Sequence, residues 1–317
     1  MRLIYFGSGA FGLPTLQRLA ASHTILAVVT QPDRPAGRGG KSTPTPIAAW
    51  AVSSLPGASI IKPERVNAPD TIERIRSLGA DAWVVIAFGQ KLSRQLLDGV
   101  FAINLHASLL PRWRGAAPIN AAILGGDAVT GDTVITLADR MDAGLILGTS
   151  QRPIDPLVTA GELHDLLAGD GPDLVERVLT DHAAGRLHPR AQDESEVTIA
   201  TKLSREDDAI DFHQPADFLR RQIHALTPWP GISVELETLP RQPLKLLRAK
   251  TLPNTHSHDE PGTVLDPRVG TIACGHGTVL QILEVQPPGK RPMPWTAYAN
   301  GRTIPPQTRM ISSRELA

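Results

Sequence analysis

Short apolar runs alternate with helical stretches through the first half of the chain. RLIYF (2–6) predicts a strand, and TLQRLAA (15–21), behind Pro14, predicts part of a helix. ILAVVT (25–30) is a second strand, TPIAAWAVSS (45–54) is helical and ASIIK (58–62) is extended. TIERIRSLG (71–79) reads as a helix with a glycine stop, and AWVVIAF (82–88) as a buried strand. LSRQLLDG (92–99) is a short helix, and FAINL (101–105) another strand. Strands separated by helices in this way predict a parallel sheet covered on both faces, with ligands bound at the carboxyl ends of its strands.

The texture changes after about residue 205. IHALTPWPGISVELE (223–237), LKLLRAK (244–250), GTVL (262–265), GTIACG (270–275) and TVLQILEV (278–285) are short β segments between Pro- and Gly-rich turns. Close spacing of such segments predicts a small barrel or sandwich. The expected fold is therefore α/β. A Rossmann-like, mostly parallel sheet forms domain 1–187, and a small OB-like β-barrel forms domain 206–317. The polar, aperiodic stretch 188–205 is the expected linker. No internal repeat or low-complexity tract is present.

FGSGAFG follows the first strand, and Gly7, Gly9 and Gly12 fit G-x-G-x-x-G, the turn of dinucleotide-binding enzymes. That fingerprint expects an acid near the end of the second strand to hold a ribose. The second strand here ends in VVTQP, and the next acid, Asp33, lies inside PDRPAGRG. The glycines therefore predict strand, tight turn and helix, without NAD.

Composition narrows the classes further. The chain has 317 residues, 41% hydrophobic and 20% charged, which fits a folded chain with one large or two modest domains. Its single cysteine, Cys274, excludes an internal disulfide framework and a cysteine-based zinc site, and suits a reducing, cytoplasmic setting. No charged leader or stretch near the roughly 18 apolar residues of a membrane span is seen. The net charge is zero but uneven: +4 over residues 1–50, −9 over 51–240 and +5 over 241–317. Basic ends suit a polyanionic partner.

The chemistry concentrates in AINLHASLLPRWRGAAPI (102–119). Asn104 and His106 stand two apart at the end of an apolar strand and so project from one face. SLLP turns the chain, and RWRG supplies two cations and a glycine before a helix begins at AAPINAAIL. In TVITLADRMDAGLILG (133–148), an apolar strand breaks at a polar turn with Asp139 and Asp142. Asp142 meets His106 if the two strands are neighbours, and a carboxylate beside an imidazole fixes its tautomer and stabilises its charged form. Taken singly, a strand-end histidine most often satisfies local hydrogen bonds, Asn104 suits a turn and Asp142 a cap. Their combination points to acyl transfer.

N-L-H-A-S-L-L-P-R-W-R-G-A-A-P (104–118) closely resembles the signature of the folate-dependent formyltransferases. The resemblance implies Asn104, His106 and Asp142 as the catalytic set, 10-formyltetrahydrofolate as formyl-donating co-substrate, and no metal. It places the folate against Ser108, Leu109, Leu110 and Pro111 and against the strand end Ala87, Phe88 and Gly89. The chain departs from the family pattern at Ala107, where glycine usually follows the histidine, and at D-A-G-L (142–145), where D-T-G-D is common.

TQPDRPAGRGGK (30–41), KLSREDDAIDF (202–212), TPWPG (227–231) and QPPGKRPM (286–293) resemble the family members whose acceptor is initiator methionyl-tRNA. That branch implies formylation of the methionyl amine for translation initiation, with no membrane and no obligate protein partner. Arg34, Arg38 and Lys41 lie in a Gly/Pro-rich segment without strand or helix periodicity, which predicts a mobile loop able to engage the acceptor end. Lys245, Arg248, Lys250, Lys290 and Arg291 give the C-terminal domain a candidate RNA face. The competing classes are a dinucleotide-dependent oxidoreductase, a non-catalytic RNA-binding protein and, within the same family, a sugar-nucleotide N-formyltransferase.

Overall fold

A computed structural model describes residues 1–36, 40–238, 240–305 and 307–313, without the side chains of Ala36 and Lys41. Arg38, one of the expected tRNA contacts, lies outside the described residues. In chain order come β1 (Arg2–Gly7), α1 (Leu13–Ser22), β2 (Thr24–Val29), β3 (Arg34–Ala36), β4 (Lys41–Thr43), α2 (Pro46–Ser54) and β5 (Ser59–Ile61). There follow α3 (Pro69–Arg76), β6 (Ala82–Ile86), α4 (Arg94–Leu97), β7 (Ala102–His106), β8 (Arg114–Gly115) and α5 (Pro118–Gly125). Next are β9 (Val129–Thr136), β10 (Ile146–Pro153), α6 (Ala160–Ala183) and β11 (Ile199–Ala200). Two compact units result: residues 1–115, 130–152 and 164–199 form the first, and 116–129, 153–163 and 200–317 the second. Neither is continuous in sequence.

The first unit is built on a seven-stranded sheet of order β10-β9-β7-β6-β1-β2-β5. β5, β2, β1, β6 and β7 run parallel, and β9 is antiparallel to β7. All five residues of β6 are buried, as a central strand covered on both faces requires. Phe6 packs on Trp83 at 5.2 Å and edge-on to Phe88 at 5.6 Å. Truncating Trp83, 2% exposed, to alanine would cost about 3–5 kcal/mol. The chain leaves β1 for β2 on one side and later reaches β6 on the other. The carboxyl ends of β1 and β6 therefore flank the switch point where such sheets form a crevice.

The opening glycines owe their identity to packing. A Cβ on Gly12 would lie 2.0 Å from the Tyr5 hydroxyl, and one on Gly7 would lie 2.5 Å from the Tyr5 ring and 2.9 Å from the Ile86 carbonyl. The Tyr5 hydroxyl donates to the Gly12 carbonyl at 2.8 Å, and burial raises its pKa far above the usual phenol value. The turn that resembles a pyrophosphate cradle thus closes over a tyrosine. Beyond it, the Ser8 and Gly9 amides donate to the Ala87 carbonyl, joining the ends of β1 and β6.

Within the segment read as aperiodic, Arg34–Ala36 and Lys41–Thr43 pair antiparallel: β3 meets β4 through Arg34↔Thr43, Pro35↔Ser42 and Ala36↔Lys41. An exposed pair has no buried face, so no apolar alternation announces it.

In the second unit, α7 (Ala216–Ala225) precedes β12 (Ile232–Leu236), β13 (Gln242–Thr251), β14 (Val264–Asp266) and β15 (Thr271–Ala273). The series ends with β16 (Val279–Gln286), β17 (Met293–Pro294), α8 (Trp295–Asn300) and β18 (Met310–Ser312). The antiparallel sheet has the order β14-β15-β16-β13-β12-β18, with β17 beside β16. Its end strands meet: the Val264 amide donates to the Thr308 carbonyl and the Met310 amide to the Gly262 carbonyl, curling the sheet into a small barrel-like form. Leu219 and Ile223 of α7 pack into its core with Val234, Leu246, Ile282 and Trp295. IHA (223–225), grouped in the sequence with the β segments, is the last turn of α7, because Ala216, Leu219 and Ile223 form one helical stripe.

Candidate active site

β7 carries two of the three expected catalytic residues. In its pairing with β9, Asn104 stands opposite Ile135 and His106 opposite Thr133. The Asn104 side chain is half-buried and makes no hydrogen bond among the described residues, so its amide is available. His106 is only 6% exposed. Its Nε2 lies 2.9 Å from the Trp113 carbonyl, and its Nδ1 faces Asp142 Oδ2 at 3.6 Å. A carbonyl only accepts, so Nε2 carries a proton in the arrangement, assigned here from its partner. Nδ1 is then the nitrogen that gains or loses one. At 3.6 Å the His–Asp approach is an electrostatic contact longer than a hydrogen bond.

Asp142 reaches this position from the turn joining β9 to β10. Its backbone is left-handed, with φ of 53°. The Gly115 amide donates to its Oδ2 at 2.9 Å. Glycine is required two residues on: a Cβ on Gly144 would lie 1.6 Å from the Thr136 carbonyl. The glycine of the Asp-Ala-Gly turn therefore follows from how closely the turn returns to β9.

Between His106 and Trp113 the chain folds back on itself. The Ser108 hydroxyl donates to the Arg112 carbonyl at 2.7 Å. Thr133 Oγ1 donates to the Ser108 carbonyl at 2.7 Å and accepts from the Leu110 amide at 3.1 Å. Leu110–Pro111 is a cis bond. Leu110 itself packs with Ile135 and Ile146. Trp113 holds φ of 62°, and its amide donates to Thr198 Oγ1 at 2.8 Å.

The seven residues implied to line the folate thus divide. Ser108 and Leu110 are committed to the turn's interior, and the Phe88 ring lies in the core while its carbonyl accepts from Ser8 Oγ and Gln31 Nε2. Leu109 and Pro111 are half-buried, and Gly89 is exposed, as is Ala87. These are the surfaces that the turn and the β6 end present.

Three residues around this turn, Gln192, Glu194 and Thr198, had no signal in the sequence. Gln192 Nε2 donates to the Asp142 and Gly144 carbonyls, and Arg114 Nε donates to Gln192 Oε1. Glu194 pairs with Arg114 and with Arg140, and the Arg114 guanidinium first, then Arg140, lowers the Glu194 pKa. Thr198 anchors Trp113. Gln192, Glu194 and Thr198 lie in the stretch read as a linker, where polarity looks the same whether it faces water or a catalytic turn. Among the described residues, no group of three His, Cys, Asp or Glu side chains is placed to hold a metal. No described helix is long and apolar enough to cross a membrane.

Comparison with known proteins bears directly on this geometry. Residues 1–179 match the formyl transferase family and 202–303 match the formyl transferase C-terminal domain. A methionyl-tRNA formyltransferase of Symbiobacterium thermophilum is 41% identical over 98% of this chain and 95% of its own length. That of Nitrobacter hamburgensis is 41% identical over 98% of this chain and 99% of its own. This chain belongs to the methionyl-tRNA formyltransferase family. Among solved structures, a sugar 3N-formyltransferase, WlaRD, crystallised with dTDP and 5-N-formyl-THF, matches with a TM-score of 0.67 at 14% identity, over 92% of this chain and 99% of that one. HypX from Aquifex aeolicus, solved with tetrahydrofolic acid, matches with a TM-score of 0.58 at 17% identity, over 95% of this chain and 47% of that one. At these identities the likeness is one of fold.

In this family member the basic residues expected to meet RNA are unequally free. Arg34 pairs with Glu64 at 3.0 Å, and both side chains remain mostly exposed. Lys245, Arg248 and Lys250 share the outer face of β13, because irregular register between Leu246 and Ala249 shifts the alternation by one residue. Lys245 and Lys250 are exposed. Lys290 and Arg291 are exposed in the turn between β16 and β17. Arg248 is held by Glu162, at 2.6 Å, and by Glu284. Arg248 in turn pulls the Glu162 carboxyl down to about 2, with Thr159 adding hydrogen bonds.

Proposed function

We propose that the chain transfers the formyl group of 10-formyltetrahydrofolate to the α-amine of methionine esterified to initiator tRNA, giving N-formylmethionyl-tRNA for translation initiation in the cytoplasm. The observation that carries the reading is the approach of Asp142 to His106 at the end of β7, the strand that also carries Asn104, in a chain about 40% identical to curated methionyl-tRNA formyltransferases over nearly its whole length. We assign catalysis to residues 1–187 and tRNA binding to 206–317, with 188–205 joining them.

The residues divide the work as follows. The formyl oxygen gains negative charge as the amine attacks; the Asn104 amide donates to it and the charge of a protonated His106 stabilises it, and one such donor is worth roughly 100- to 1000-fold in rate. Asp142 stabilises the imidazolium, whose Nδ1 proton passes to the leaving nitrogen and is then replaced by the proton that the attacking nitrogen loses. The Trp113 carbonyl fixes the other ring nitrogen. Leu109, Pro111, Ala87 and Gly89 offer a surface for the pterin. Lys245 and Lys250 contact tRNA phosphate, joined by Arg34, Arg38 and Lys41 near the acceptor end.

The test supplies 10-formyltetrahydrofolate with either methionyl-initiator tRNA or an amino-sugar nucleotide. Formylation of the tRNA alone is expected. Formylation of the sugar nucleotide alone would replace this reading with the sugar-directed one.

A further inference from the structure

We infer that Gln192 is a positioning residue for formyl transfer, holding Asp142 in the backbone conformation that aims its carboxylate at His106, with Arg114 fixing Gln192 in turn. This rests on the assignment of His106 and Asp142 proposed above and extends it to a residue that touches neither side chain.

Asp142 is not a glycine, yet its φ of 53° is left-handed, a conformation that L-residues adopt only where surrounding contacts enforce it. Two of those contacts come from one side chain. Gln192 Nε2 donates to the Asp142 carbonyl at 2.7 Å and to the Gly144 carbonyl at 2.9 Å, using both hydrogens of its amide. Two carbonyls flanking Ala143 are thereby drawn to one point, which sets the direction of the Asp142 Cα–Cβ bond.

Arg114 decides which way the Gln192 amide faces. Its Nε, which can only donate, sits 2.9 Å from Gln192 Oε1, so the amide nitrogen must turn to the carbonyls. Arg114 is 5% exposed, and Glu194 closes its guanidinium at 3.0 Å. The next residue along, Gly115, donates its amide to Asp142 Oδ2. The Arg114–Gly115 segment therefore holds the catalytic turn twice, once through Gln192 and once through the carboxylate. Gln192 is not a bystander in a linker.

The chemical consequence is specific. Losing the amide donors frees the turn to leave the left-handed conformation and swings the carboxylate away from Nδ1. A misplacement near 1 Å costs on the order of 100-fold in rate. Substrate surfaces on Leu109, Pro111 and the β6 end are untouched, so kcat falls while KM stays.

The test measures kcat and both KM values for Gln192→Leu, Gln192→Glu, Asp142→Asn and the two double variants, with 10-formyltetrahydrofolate and methionyl-initiator tRNA. Active sites are counted by binding of 5-formyltetrahydrofolate. Gln192→Glu keeps the side chain's size and its Arg114 contact but cannot donate, so it carries the test if Gln192→Leu does not fold. Each single Gln192 variant is expected to lose roughly 10- to 100-fold in kcat per active site, with KM values within about threefold. Neither is expected to lose more in the Asp142→Asn background, because Gln192 acts through Asp142. Full kcat in Gln192→Glu beside an inactive Asp142→Asn overturns the inference alone, as do losses that multiply in the double variants. Wild-type kcat in Asp142→Asn overturns the assignment of Asp142 and the inference with it.

Discussion

Thr133→Val separates the hydrogen bonds of the 108–111 turn from its packing. Thr133 is fully buried, and its single hydroxyl serves two backbone groups: it donates to the Ser108 carbonyl at 2.7 Å and accepts from the Leu110 amide at 3.1 Å. Valine matches the shape of threonine and supplies neither bond. Each buried backbone group left unpaired costs about 1–3 kcal/mol, so the expected destabilisation is roughly 2–6 kcal/mol. At about 2–4 °C per kcal/mol, Tm falls by roughly 4–24 °C. The turn also presents Leu109 and Pro111 and leads to the Trp113 carbonyl that holds His106. The folate KM is therefore expected to rise on the order of tenfold, the equivalent of about 1.4 kcal/mol. Thermal denaturation and steady-state formyl transfer read the two effects, with Thr133→Ser, which keeps the hydroxyl, as control. A Thr133→Val protein with wild-type Tm and wild-type folate KM would refute this description of the turn.

Asp132 gives a pH signature. It is fully buried, neither oxygen is bonded, and burial, then the nearby Asp170, raises its pKa to about 8, against which Arg152 pulls weakly. The folded state therefore keeps a proton that the unfolded chain loses above about pH 4, and stability falls as pH rises between about 4 and 8. At about 1.4 kcal/mol per unit the loss is on the order of 5 kcal/mol. Urea unfolding should show Asp132→Asn losing this slope and exceeding wild type at pH 8; parallel curves would contradict it. Lys245→Ala and Lys250→Ala are each expected to reduce the salt dependence of tRNA binding by about one ion, leaving kcat at saturating tRNA unchanged. Equal salt slopes for wild type and variants would remove β13 from the RNA face.

Much of this molecule could be read directly from residue order. The parallel strands showed because they are buried on both faces, and β7 showed because its apolar run ends in Asn104 and His106. The bias toward charged and polar residues hid the rest. In the β3–β4 pair Arg34, Pro35, Ser42 and Thr43 are all exposed, so no apolar period marks it. The last turn of α7, IHA (223–225), groups with the β segments in the sequence because the helix runs straight into the TPWPG turn. α6, 24 residues with Pro172 inside, falls in a stretch from which no element was read. Gln192 was invisible because its partners are backbone carbonyls 50 and 48 residues earlier, and no pattern in the chain marks them. The GSGAFG glycines were legible as a turn, but the reason for them, the Tyr5 ring and hydroxyl, exists only once the strand and turn are folded.

The central assignment is tested most directly by single-turnover formylation with His106→Ala, saturated with 10-formyltetrahydrofolate and methionyl-initiator tRNA, with tRNA affinity measured on the same preparation. The expected result is a rate lower by roughly 100-fold or more with tRNA affinity within about threefold of wild type. A wild-type rate, or a loss explained wholly by weaker tRNA binding, would contradict the placement of His106 at the reacting formyl group.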